Sequence, residues 1–71
     1  MQEERVTAPR YRIVIRGSLG EHFVAAFAPL EIESRPGQSV LTGALDHAQL
    51  HGVLDRLRDL GIQLVSVNPA D

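Results

Sequence analysis

With 71 residues, 44% of them hydrophobic and 23% charged, and a net charge of −2, this chain has the make-up of one small globular domain. Disorder and a nucleic-acid binder that works through bulk positive charge are both disfavoured. The absence of cysteine excludes disulfides and thiolate metal sites.

A chain this short buries only about 60% of its unfolded surface, so a metal held by histidine and carboxylate side chains, or a second subunit, is the expected help. All seven basic residues are arginine. No apolar run approaches the ~20 residues of a membrane span, and the first residues lack the apolar stretch of a secretory signal. A cytoplasmic protein with no membrane contact is the expectation.

Residues 1–9 are polar, end in a proline and are expected to form a flexible tail. The single domain then runs over residues 10–71. From Tyr11 to Arg16 apolar and polar residues alternate, which predicts a half-buried strand. Tyr11, Ile13 and Ile15 face one way; Arg12, Val14 and Arg16 face the other. After Gly17, the phrase Ser18-Leu19-Gly20-Glu21 has the form of a capping box. Leu19, Phe23, Ala26, Phe27 and Leu30 follow near helical spacing, which predicts a short helix from Leu19 to about Ala28. A strand through His22 to Phe27 is the competing reading, and Pro29 stops either one.

Leu30 to Ser34 alternates again and predicts a second strand. Arg35-Pro36-Gly37-Gln38 has type II turn chemistry, and Ser39 to Thr42 is the returning strand. Leu45 to Ile62 then reads as an amphipathic helix with both ends marked. Asp46 stands at the N-cap with Gln49 three residues on, and Leu45 and Leu50 are placed for a hydrophobic staple. Leu50, Val53, Leu54, Leu57 and Leu60 make the apolar stripe. Gly61 and Ile62 suit a Schellman ending. Ile62 to Val67 is the fourth strand.

The order βαββαβ predicts an α+β, ferredoxin-like sandwich: an antiparallel four-stranded sheet in the order 4-1-3-2, with two helices on one face. The alternative is a β-rich sheet with a single helix. The string from Tyr11 to Val67 resembles a group of short, uncharacterised bacterial proteins of this pattern. That resemblance implies no activity for any residue. The strand order and the phrase Leu57 to Val67 also resemble ACT-type ligand-binding modules, although there the phrase usually falls in the first half. The ACT resemblance implies an effector site at the first strand-to-helix turn, here Arg16, Gly17, Ser18 and Gly20. Ordinary turn chemistry accounts for the same residues.

Three surfaces are candidates for function. Val14, Val65 and Val67, flanked by Arg12, Arg16 and Gln63, are expected on the open face of the sheet, as an interface for a homodimer or a partner protein. Edge-strand pairing would serve equally. His47, His51 and Asp55 stand at i, i+4 and i+8 on the long helix and are candidate metal ligands, with His22 as a further one. A solvated helix flank is the simpler reading. With three aromatic residues, all expected inward, no stacking surface for nucleic acid is expected. No catalytic residue and no cofactor is indicated.

These readings converge on a small non-catalytic module that self-associates and binds a partner protein or small ligand. The rival is a small dimeric α/β-barrel-type enzyme, with a pocket between sheet and helices lined by His22, Arg16 and Tyr11.

Overall fold

The computed structural model describes residues 9–27 and 30–70, and for residues 21–23 the backbone. Six elements follow in the order β1 (Arg10–Arg16), α1 (Glu21–Ala26), β2 (Glu31–Arg35), β3 (Gln38–Ala44), α2 (His47–Asp59) and β4 (Leu64–Pro69). They form the expected α+β, ferredoxin-like arrangement: one antiparallel sheet in the order β2-β3-β1-β4, which is 4-1-3-2 read from the other edge. The single-helix alternative falls, because residues 21–26 are helical. Of the expected tail, residues 1–8 lie outside the described residues. Pro9 is tied in, since its carbonyl accepts from Leu45 N–H at 3.0 Å.

β1 is the centre of the sheet. Ile13 pairs with Leu41 of β3 and with Val67 of β4. Cross-strand partners share a face, so the inner face is fixed from strand to strand. Ile13, Ile15 and Leu41 are at most 1% exposed, and Phe27, Leu45 and Leu57 join them in the core. Tyr11, Leu19, Leu30, Ile32 and Val67 pack around that cluster.

Helix α2 forms where its ends are written into the sequence. Asp46 Oδ1 accepts from Gln49 N–H at 2.7 Å, and Asp46 N–H donates to Gln49 Oε1 at 2.9 Å. At the other end Ile62 N–H reaches Leu57 O at 2.9 Å and Gly61 N–H reaches Arg58 O at 3.0 Å, the two bonds of a Schellman motif. Gly61 takes φ +73° there, a conformation that only glycine adopts without strain. The stripe is buried at Leu57 and half-buried at Leu50, Val53 and Leu54. Leu60 departs from it: this residue is the C-cap and remains 39% exposed.

The first helix begins later than its sequence pattern suggests. Its N-cap is Gly20, with no side-chain cap, and not Ser18. Leu19 packs on the core, so the chain is anchored before it turns into the helix. The helix stops at Ala26, with buried Phe27 as its C-cap. The expected face partner Phe23 is one whose side chain lies outside the description.

Asp46→Ala removes one half of the capping box and leaves Gln49 N–H without its acceptor. A loss of about 1 kcal/mol is expected in chemical denaturation, with an unchanged far-UV spectrum at low denaturant.

Candidate functional site

The turn after β1 is built as a joint. Gly17 adopts φ +87° and its N–H donates to Gly37 O at 2.8 Å. Its carbonyl accepts from the Ser39 hydroxyl at 2.9 Å, and Ser39 is fully buried. The β1–α1 turn is thereby fastened to the tip of the β2–β3 hairpin. This arrangement uses two of the backbone N–H groups that an effector site at this turn could offer. Gly17 N–H is spoken for, and Arg16 N–H donates to Gln63 O at 2.9 Å. Arg16 is exposed on the opposite face of β1 from the core, while Ser18 and Gly20 are exposed on the loop. Arg16 and Gly17 therefore have their backbone N–H groups committed within the fold.

The expected open-face patch is also rearranged. Val14 pairs with Ser66, but Ile15 pairs with Leu64. Val65 is thus an extra residue, and the register shifts around it as in a β-bulge. The bulge reverses the parity of the strand. Val67 consequently sits opposite Ile13 and packs on the core, not on the open face. Arg12, Val14 and Arg16 do occupy that face. Its apolar centre is Val14 beside Val40, and Val40 is only 3% exposed, so little of it is bare. Glu33 pairs with Arg35 on its own strand at 3.4 Å.

Exposed apolar surface collects elsewhere. Leu60, Leu64 and Val65 are 39%, 43% and 44% exposed. All three belong to the passage from α2 into β4. Beside them a groove of about 370 Å³ runs between α2 and the start of β4, lined by Leu54, Leu57, Ile62 and Leu64 with Asp55 and Arg58 at its rim. The two sheet edges differ sharply. β2 carries Glu31, Glu33 and Arg35, whereas β4 (LVSVNP) has no charged residue.

The helix flank gives no metal centre. His47, His51 and Asp55 are all exposed, and the Asp55 carboxylate accepts from Arg58 at 2.8 Å. Among the described residues no three histidine, aspartate or glutamate side chains stand close enough to share an ion. The outer members, His47 and Asp55, are two helical turns apart, about 12 Å of rise, which spreads the trio along the helix. The His22 side chain lies outside the description. The pocket proposed for an enzyme does not form from its named residues either. Tyr11 faces the core and Arg16 the open side of the same strand, and the space between sheet and helices is filled by Ile13, Ile15, Leu41 and Leu57.

A second cleft, of about 290 Å³, lies between the end of α1 and α2, over Phe27 and Leu45. Sequence reasoning missed it. The one signal was Gly52, a glycine in the interior of a well-marked helix.

The family described as a domain of unknown function (DUF8691) matches residues 10–68. The chain belongs to this family. The DUF8691 match spans all six elements and agrees with the resemblance to a small βαββαβ group that has no assigned activity. No curated protein and no solved structure matches the chain.

Zinc added in excess is expected to leave the melting temperature of this DUF8691 member unchanged. A rise that grows with zinc concentration would mean that the histidines of α2 hold the ion after all.

Proposed function

We propose that this protein is a small non-catalytic interaction module that works in the cytoplasm as a homodimer, as a regulator or accessory subunit for a partner protein. The observation that carries this reading is the corner formed by Leu60, Leu64 and Val65. Each is more than a third exposed, and the corner adjoins the one sheet edge without charges. Edge strands invite pairing with another chain unless charge, proline or a bulge opposes it. β2 is guarded by its glutamates and arginine. β4 has the bulge at Val65 and a terminal proline, but its middle is free of charge.

The size of the core points the same way. Among the described residues six buried hydrophobic side chains make up the core cluster, which gives a marginal domain. A two-fold partner would bury the corner and the α2–β4 groove together, and isologous pairing is the commonest form of self-association. The open face of the sheet is a poorer candidate now that Val67 lies in the core and Val40 is buried. No helix among the described residues is long and apolar enough to cross a membrane.

Light scattering after size exclusion at low micromolar concentration is expected to give twice the chain mass. Val65→Lys and Leu60→Glu, both at exposed positions, are expected to give the monomer with the fold retained. A wild-type protein that stays monomeric at these concentrations would overturn the reading.

A further inference from the structure

The cleft between α1 and α2 lies on the other flank of α2 from the groove beside β4. Gln49, Gly52, Val53 and Arg56 turn toward it, which is one helical face at i, i+3, i+4 and i+7. Its floor is apolar. Phe27 and Leu45 are 2% and 6% exposed, and Leu30 and Val53 are half-buried. The volume, about 290 Å³, is roughly that of ten waters in the bulk liquid.

Gly52 is the residue that the folded chain does not account for. Glycine inside a helix costs up to ~1 kcal/mol relative to alanine. A Cβ placed there would meet nothing within 4 Å, and its φ is not positive. Neither crowding nor backbone conformation therefore calls for glycine. Its effect is to keep the wall of the cleft low.

Among the described residues, the polar side chains that line the cleft are Arg56 and Gln49. Arg56 Nη1 donates to Ala26 O at 3.1 Å and bridges the two helices at one end. That contact leaves most of the guanidinium's five N–H donors over. The Gln49 carbonyl oxygen accepts from Asp46 N–H, and its side chain also carries two amide N–H donors. Among the described residues no acidic side chain lines the site, and the one charge there is positive. The complement to donors, a positive charge and an apolar floor is an anion with an apolar body.

We propose that this cleft binds a small amphipathic carboxylate, with the head on Arg56 and the body over Phe27, Leu45 and Val53. The proposal is independent of self-association, since the two surfaces share no residue.

Octanoate is a suitable probe, with octylammonium as its control of equal length and opposite charge. In amide-resolved NMR titrations of the full chain, octanoate is expected to give saturable shifts centred on Leu30, Gly52 and Val53. Octylammonium is expected to bind at least about tenfold more weakly, the worth of one hydrogen bond to a charged group. Arg56→Gln should weaken octanoate by a similar factor. Because Arg56 also holds the end of α1, Gly52→Leu provides the second test: it fills the cleft, leaves Arg56 in place and should abolish the shifts. Equal responses to the two probes, shifts centred on Leu60 and Leu64, no saturation, or unchanged binding by Gly52→Leu would each overturn the proposal. A monomeric protein that passes the octanoate test would remove only the dimer reading.

Discussion

Two-sided pairing of β1 is the constraint on which the rest of the structure depends. A strand held on both edges must present alternate residues to opposite faces along its whole length. Ile13 and Ile15 are thereby committed to the core, and Arg12 and Arg16 to the open side. A helical layer covers only the first face. Each surface available for function is what that commitment leaves over: an open face of arginines and valines, two unequal edges and the gaps between the helices and the sheet.

The edges and gaps are more informative than the face. Where β4 leaves α2, one additional residue interrupts the ladder with β1. The interruption lets Leu64 and Val67 both lie on the core side although they are three apart in sequence, an odd spacing. The same interruption strands Val65 in solvent. On the far flank of α2, a missing side chain at Gly52 leaves a depression roofed by no part of the described chain. The two features flank the long helix, whose ends are both closed by hydrogen bonds. The arrangement follows a general rule: sites are held by regular elements but shaped by their local departures from regularity.

The long helix and the hairpin were legible in the sequence because their signals are local. Asp46 with Gln49, Gly61 with Ile62, and Pro36 with Gly37 each act within a few residues, and every one of them appears where it was expected. Strand order followed from the short connections and right-handed crossovers. What could not be read was set by contacts distant along the chain. The face of Val67 depends on where β4 gains a residue relative to β1, and nothing within Leu64 to Pro69 announces that. The start of α1 is decided by Leu19 reaching the core, which outweighs the Ser18 pattern. The turn at Gly17 resembled a ligand site in sequence. Its carbonyl is occupied by a serine 22 positions away, a fact invisible until the hairpin is in place.

Ile13 also carries contacts between distant parts of the chain. Its two partners, Leu41 and Val67, lie 28 and 54 positions along the chain (41 − 13 and 67 − 13). Closing loops of that length costs entropy before any burial offsets it. The β2–β3 hairpin and the capped helix involve only near neighbours and can gather first. The pairing of β1 with both β3 and β4 is what joins these pieces into one sheet. Until that pairing forms, the flanks of β3 and β4 that β1 will occupy are open templates. The interval before it is therefore when the chain is most exposed to mispairing with its own copies.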